Sequence, residues 1–166
     1  MARAAGATLR VRRARRADAP ALTRIAHAAK RHWGYPEEWI RLWAADLTLS
    51  AELIAAQPVY AACRGAEIVG LYALSRDGDA FELEHMWVDP AHMGRGFGAR
   101  LFEHASATAR SLGGATLRIA SDPHAEGFYR RMGARRVGEV ASAPEDRKLP
   151  LLIFDLAVPS GTDRTA

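Results

Sequence analysis

The sequence is poor in cysteine and has no long apolar run. Cys63 is the only cysteine among 166 residues, which excludes an internal disulfide and a cysteine-based zinc site. No apolar stretch approaches the roughly 18 to 20 residues that a membrane span needs, and the arginine-rich start lacks the apolar segment of a secretory signal. These absences predict a cytoplasmic protein without a membrane partner, with Cys63 as a core residue.

Lysine is also scarce, since Lys30 and Lys148 are the only two and every other basic side chain is an arginine. The formal net charge of +4 favours anionic partners such as phosphates. Six arginines precede Asp18, the first acidic residue, as in a nucleic-acid-binding arm or a transit peptide. The alternation over residues 8–12 favours a first strand with a solvated basic face instead, so we expect no nucleic-acid partner.

Length and composition are typical of one globular domain. The chain is 49% apolar and 25% charged, which is enough to bury a single core. No internal repeat and no Ser/Gly linker divides it. We expect the domain to span residues 8–158, with flexible tails at 1–7 and 159–166.

Hydrophobic periodicity predicts an α/β (α+β) fold. Tight turns join the second to fourth predicted strands, which should therefore be antiparallel, and the strand–helix units that follow imply a mixed sheet with helices on its faces. Helices are predicted over residues 18–30, 36–46, 51–56, 95–112 and 123–132. Strands are predicted over residues 8–12, 59–63, 67–74, 81–88, 115–120, 135–140 and 151–156.

The most informative segment joins the fourth strand to the fourth helix. Gly94, Gly96 and Gly98 alternate with other residues there, so the backbone can turn tightly and approach a ligand closely. The first amides of the helix lack partners and its dipole adds positive potential. Because Arg95 and Arg100 add full charges, the segment is a good physical match for a pyrophosphate.

Two segments resemble the Gcn5-related N-acetyltransferase (GNAT) superfamily, and the resemblance extends over about residues 9–156. Residues 93–98 read Met-Gly-Arg-Gly-Phe-Gly and are similar to the family's acetyl-CoA loop, Arg/Gln-x-x-Gly-x-Gly/Ala, from which Met93 departs. Residues 122–133 are similar to the pattern Asn-x-x-Ala-x-x-Phe-Tyr-x-x-x-Gly, with Asp122 at the Asn position.

The resemblance implies a mixed, mostly antiparallel sheet of about seven strands, flanked by helices on both faces. It also implies an acetyl-CoA-dependent N-acetyltransferase that acts on a primary amine of a small molecule or peptide by direct attack in a ternary complex. The pantetheine arm of acetyl-CoA is expected to pair with the backbone of Met86, Trp87 and Val88. The other expected acetyl-CoA-binding residues are Met93, Gly94, Arg95, Gly96, Phe97, Gly98, Ala99, Asp122, His124 and Phe128.

Two carboxylates on one predicted strand are candidate bases, because an alkylamine with a pKa of about 10 is mostly protonated at neutral pH. Glu82 and Glu84 share strand parity and should face one side together with Met86 and Val88, unless a bulge intervenes. Each carboxylate would raise the pKa of the other, which helps one act as a base. The resemblance places the family's glutamate base at Glu82 and its proton-donating tyrosine at Tyr129.

The sequence says less about the residues that bind the acceptor amine. The resemblance makes His32, Trp33 and Tyr35 candidates for lining its cleft, although core packing is an equal prediction for Trp33. His85 has the opposite strand parity and is expected to be packed or at the surface. The six histidines lack metal-ligand spacing, so no metal is expected.

Several alternatives remain open at this point. Gly94, Gly96 and Ala99 also fit the short dinucleotide-binding fingerprint, with Asp122 about 20 residues further on. A non-catalytic acyl-CoA sensor would keep the same loop, and an arginine-rich nucleic-acid binder would use the basic charge. The identity of the acceptor and the formation of a homodimer are not decided by the sequence.

Overall fold

The computed structural model describes residues 8–157. The predicted tails, 1–7 and 159–166, lie outside this range, as does residue 158 of the predicted domain. The helices are α1 (Ala19–His32), α2 (Glu37–Leu42), α3 (Ala51–Ala56), α4 (Phe97–Ser111) and α5 (Glu126–Arg131). The strands are β1 (Leu9–Arg13), β2 (Val59–Arg64), β3 (Glu67–Asp77), β4 (Ala80–Val88), β5 (Thr116–Ala120), β6 (Arg135–Ser142) and β7 (Arg147–Asp155).

The seven strands form one sheet in the order β1-β2-β3-β4-β5-β7-β6. Every neighbouring pair is antiparallel except β4 and β5, which are parallel. The predicted mixed, mostly antiparallel sheet is thereby confirmed. A dinucleotide-binding domain would need successive parallel strands, so this alternative is wrong.

Helices cover both faces of the sheet because alternate strand residues are apolar on each side. On one face, α4 contributes Leu101 and Phe102 to a core shared with Leu117 of β5. On the other face, Leu22 and Ile25 of α1 pack with residues of the first strands and of α2 and α3. Cys63 is buried in this second core, as predicted. Within residues 8–157, no helix combines the length and the apolar character that crossing a membrane requires.

The two largest differences from the predicted element boundaries are of four residues each. Helix α2 ends at Leu42 rather than near residue 46, and the buried Trp43 that follows donates from its indole Nε1 to the carbonyl of Ala143. Strand β7 begins at Arg147 rather than at residue 151. The strand tolerates Pro150, which cannot donate a hydrogen bond, beside a register shift in β6, and the Pro150 carbonyl accepts from the Ser121 amide.

A β-bulge at Glu84 resets the alternation of side chains along β4. Leu83 pairs with Leu74 and His85 pairs with Ala73, so Glu84 is the extra residue. Leu83 packs on the α4 side before the bulge, and Met86 and Val88 pack there after it. The predicted common face of the glutamates with Met86 and Val88 is therefore wrong, because one inserted residue inverts the pattern.

The two glutamates do lie on one face, the side of the sheet covered by α1. Glu82 pairs in register with Ser75, whose hydroxyl donates to the Glu84 carboxylate. His85 pairs with Ala73, which packs in the core on that side. The bulge thus brings His85 to the same face as the glutamates rather than to the opposite one.

The parallel pair is short. Strands β4 and β5 are in register only from Ala80–Glu82 against Thr116–Arg118. Beyond Glu82 the strands part, and the gap between them opens the sheet next to the glycine-rich segment. This opening positions the candidate site.

Candidate active site

A cavity of about 560 Å³ fills the gap between β4 and β5. Its walls come from the second half of β4, the glycine-rich segment, the end of β5 and helix α5. The structure brings nearly all of the predicted acetyl-CoA-binding residues to this one cavity, and Arg95 alone of that set is not in its lining. Those that line it are Met86, Trp87, Val88, Met93, Gly94, Gly96, Phe97, Gly98, Ala99, Asp122, His124 and Phe128.

The glycine-rich segment has few side chains, so a ligand can come close to the main chain at the start of α4. Gly94 and Gly96 have φ angles of 75° and 77°, a left-handed conformation that disfavours any side chain. Gly96 caps the 15-residue helix α4, whose first amides have no intrahelical partner. A Cβ atom on Gly98 would lie 3.5 Å from the Phe128 ring, so a larger side chain would fill this cradle. The segment therefore fits the phosphates of a coenzyme.

The basic residues near this segment have different surroundings. Arg131 lines the cavity, although sequence reasoning did not select it. Arg100 instead donates from Nη2 to the Leu9 carbonyl at 3.1 Å, which ties helix α4 to β1. The positive charge at the cavity thus comes partly from α5 and not only from the glycine-rich segment.

Tyr129 extends from α5 into the cavity wall and is 6% exposed. Its ring packs at 5.8 Å from that of Phe102 and at 5.2 Å from that of Phe128. Burial raises the pKa of the Tyr129 hydroxyl above its ordinary value. This hydroxyl is therefore protonated at neutral pH and can act as a proton donor.

Glu82 lies at the short parallel pairing of β4 with β5. Its carboxylate is 2.8 Å from Arg118 Nε, and Arg118 also contacts Asp77 at 2.6 Å. Burial raises the pKa of Glu82, with Arg118 acting in the opposite direction. Glu82 is in an ion pair with its neighbour strand and is not part of the lining of the cavity.

Glu84 is placed differently, because it borders two cavities. A second cavity, of about 160 Å³, lies on the α1 side of the sheet. Glu84 and Trp87 are the residues that line both cavities, so they form the partition between them. The second cavity is lined by Lys30, Trp43, Asp46, Leu47, Glu84, His85, Trp87, Ser142, Arg147 and Leu149.

His85 in the second cavity is held as a neutral donor. The Trp87 indole Nε1 donates to His85 Nδ1 at 3.1 Å. Burial lowers the pKa of His85, against the opposing influence of Glu84 and Asp46. With Nδ1 accepting, the proton of the neutral ring is on Nε2. The carboxylates of Glu84 and Asp46 are thus the groups in this cavity that can accept a proton, and of the two only Glu84 also borders the larger cavity.

Asp122 lines the larger cavity and contacts Lys30 and Arg147, which line the second cavity. Its buried carboxylate accepts from Lys30 Nζ at 2.6 Å and from the Tyr35 hydroxyl at 3.1 Å. Arg147 Nη2 lies 3.4 Å away, and the His124 amide donates at 3.0 Å. Burial opposes ionisation, but the hydrogen bonds from Lys30 and His124 lower the pKa of Asp122 to about 2. The aspartate is therefore fully ionised at neutral pH.

The three residues predicted to line the acceptor cleft lie in different surroundings. Tyr35 joins the Asp122 cluster, and burial together with the Asp122 charge raises its pKa to about 12. Trp33 lines the larger cavity and stacks on His124 at 4.9 Å, whereas the exposed His32 packs edge-on against Trp33. The roles of these residues toward a ligand remain predictions.

Sequence reasoning missed Lys30, Asp46 and Arg147. Lys30 carries a signal, because it follows the buried Ala26 by one helical turn and so falls on the apolar face of α1. Asp46 and Arg147 have no such signal, since they come from a turn and from the start of β7. Within residues 8–157, no three His, Cys, Asp or Glu side chains are placed to share a metal ion.

The acetyltransferase (GNAT) domain family matches this chain over residues 37–143. No curated protein sequence matches the chain. Among solved structures, PaiA N-acetyltransferase from Thermoplasma acidophilum, in complex with coenzyme A, is similar with a TM-score of 0.75 and 16% identity. The similarity covers 89% of this chain and 99% of that one.

Two further structures share the fold. A GCN5-related N-acetyltransferase from Rhodopseudomonas palustris has a TM-score of 0.73 and 19% identity, over 93% of this chain and 99% of its own. An aminoglycoside 6′-N-acetyltransferase complexed with coenzyme A has a TM-score of 0.68 and 19% identity, over 90% of this chain and 98% of its own. At these identities the similarity establishes the arrangement of strands and helices.

Proposed function

Since the chain belongs to the GNAT acetyltransferase family, we propose that it is an acetyl-CoA-dependent N-acetyltransferase acting on a primary amine of a small molecule or peptide. The observation that carries this proposal is the pair of cavities that meet at Glu84 and Trp87. One has a glycine cradle for a phosphate-bearing coenzyme, and the other has charged walls for an acceptor. The single, buried cysteine fits a cytoplasmic location.

The residues of the larger cavity would hold acetyl-CoA. The amides at the start of α4 and the side chain of Arg131 would bind its phosphates. Main-chain groups of β4 from Met86 to Val88, which pair with β3 but not with β5, would pair with the pantetheine arm on their open edge. Bound acetyl-CoA supplies a thioester, from which the acetyl carbon forms a bond to the amine nitrogen while its bond to sulfur breaks.

Two side chains carry out the proton transfers of the proposed reaction. The Glu84 carboxylate accepts a proton from the amine, because it faces the second cavity where an acceptor would lie. The Tyr129 hydroxyl donates a proton to the leaving sulfur, because burial keeps it protonated. Glu82, which the family resemblance favours as the base, is the alternative, with its proton transfer limited by the ion pair with Arg118.

Thiol release across a panel of amines tests this function. The expected result is release of free coenzyme A that depends on both acetyl-CoA and an amine. Coenzyme A alone should raise the melting temperature, because a ligand that binds only the folded state stabilises it. A protein stabilised by coenzyme A that releases no thiol with any amine would instead be a sensor. No stabilisation at millimolar coenzyme A would overturn the proposal altogether.

A further inference from the structure

Charged side chains of both signs line the second cavity. Two of them are the carboxylates Asp46 and Glu84, which both favour the charged form of His85. The other two are the cations Lys30 and Arg147, which both contact Asp122. We propose that the acceptor is a small amine that also carries a carboxylate, such as a free amino acid. This inference rests on the proposed function.

Arg147 presents donors that the protein leaves unused. Its Nη2 donates to the Tyr35 hydroxyl at 2.6 Å and lies 3.4 Å from Asp122. The guanidinium packs at 4.9 Å from the ring centres of both Tyr35 and Trp43, which fixes its orientation. Within residues 8–157, no side chain or carbonyl accepts from Arg147 Nε or Nη1. Each of these donors can bind a carboxylate oxygen, and a carboxylate is the acceptor that a guanidinium favours.

Without a ligand, Asp122, Lys30 and Arg147 together carry a net positive charge. Asp122 is one carboxylate between two cations, Lys30 and Arg147, whose side chains are 10% and 12% exposed. An unmatched charge in a buried site is unfavourable. A ligand carboxylate would complete the set, whereas a polyamine or an aminoglycoside would bring further positive charge to Lys30 and Arg147.

The amine of such a ligand can bind at the carboxylates of the same cavity. Asp46 and Glu84 attract an ammonium group, and Glu84 also borders the coenzyme cavity. The cavity of about 160 Å³ is about five times the ~30 Å³ that one water molecule takes in the liquid. It therefore suits a molecule of amino-acid size, with its amine at Glu84 and its carboxylate at Arg147.

The test compares L-amino acids with their α-amides, which have the same size and amine but no carboxylate. For the wild-type protein we expect kcat/KM with the best amino acid to exceed that with its amide by about 10- to 100-fold, as for a hydrogen bond to a charged group. Arg147→Gln should remove this preference by lowering activity toward the amino acid alone. Arg147→Lys should retain part of it, because the charge remains.

Lys148→Gln is the matched control. Lys148 is the neighbouring cation, 67% exposed and 3.8 Å from Glu139, so its loss should leave the preference intact. A second readout, calorimetric binding of the amino acid in the presence of coenzyme A, needs no catalysis. Wild-type protein should bind the amino acid, and Arg147→Gln protein of unchanged melting temperature should bind it at least about tenfold more weakly.

The outcomes separate this inference from the proposed function. Efficient acetylation of amides, polyamines or peptide amino termini in preference to amino acids would overturn the inference and leave the acetyltransferase intact. The same holds if Arg147→Gln protein keeps the preference for the carboxylate. Failure of both coenzyme binding and thiol release would overturn the proposed function, and with it the basis of this inference.

Discussion

At the scale of single residues, Glu82 and Glu84 are chemically identical but have different neighbours. Glu82 is in an ion pair with Arg118, while Glu84 accepts from Ser75 and borders both cavities. Proton transfer needs a carboxylate within reach of the substrate nitrogen. The neighbours therefore decide which glutamate can act as the base.

We expect Glu84→Gln to lower kcat by about 10²-fold, within the usual range for loss of a general base, and to leave coenzyme A affinity unchanged. The residual rate should rise with pH as the amine deprotonates unaided. Steady-state kinetics and calorimetry measure the two effects. A fully active Glu84→Gln protein beside an inactive Glu82→Gln protein would instead assign the base to Glu82.

Asp122 gives a prediction about stability. Its pKa in the folded protein is about 2, below the ordinary value of about 3.9. The stabilisation from its ionised form is complete above about pH 4 and is lost as the pH falls toward 2. Asp122→Asn leaves Lys30 and Arg147 without their carboxylate and should lower the free energy of unfolding by about 3 kcal/mol at neutral pH.

Urea unfolding at several pH values checks this expectation. The difference between wild-type and Asp122→Asn protein should shrink as the pH falls from 4 to 2, because protonated aspartate resembles asparagine. Asp77→Asn is the control, since Asp77 is 74% exposed in its pair with Arg118 and should cost at most about 1 kcal/mol. A difference that does not change with pH would show that the cluster is held by packing alone.

At the scale of elements, most helices and strands could be predicted from hydrophobic periodicity and turn residues. The glycine-rich segment and Tyr129 could also be located, because each lies in a contiguous pattern. The bulge in β4 could not, since one unpaired residue leaves local composition unchanged and shows only against β3. The Asp122 cluster could not either, because Lys30, Asp122 and Arg147 meet only through the fold.

The start of α4 gives a further mutational prediction. Gly96 and Gly78 both have positive φ angles, 77° and 62°, and a Cβ atom on either would meet no atom within 4 Å. Alanine at either position should cost roughly 1–2 kcal/mol of stability from backbone strain. Only Gly96→Ala should also weaken coenzyme A binding, by about tenfold or more, because its methyl group would enter the cradle.

Thermal unfolding and calorimetry on the two variants separate strain from binding. Gly78 lies in the turn between β3 and β4, at the opposite end of β4 from the cradle, and serves as the matched control. Equal coenzyme A affinities in both variants would show that the phosphates bind elsewhere.

At the scale of the whole molecule, the larger cavity fills the gap between β4 and β5, and the second cavity shares only Glu84 and Trp87 with it. Under the proposed function, coenzyme and acceptor could therefore be bound together, and the transfer would need no acetylated protein. Cys63 is 3% exposed in the core on the α1 side. A thiol in this position is not available to carry an acetyl group.

Initial-rate measurements should accordingly show intersecting double-reciprocal lines when acetyl-CoA and amine are varied. Acetyl-CoA alone should release no burst of thiol, and a Cys63→Ala protein should keep its activity. Parallel lines, or a burst of one thiol per protein molecule, would indicate a covalent intermediate.

The parting of β4 from β5 leaves two strand edges inside the molecule. Unpaired edges are the templates on which foreign strands assemble, and proteins commonly guard them with charge, proline or twist. Here α1, α5 and the glycine-rich segment border the gap between the two edges. These elements lie where a foreign strand would have to pair, so the fold that leaves main-chain groups of β4 open to a linear ligand also covers that edge against strand addition.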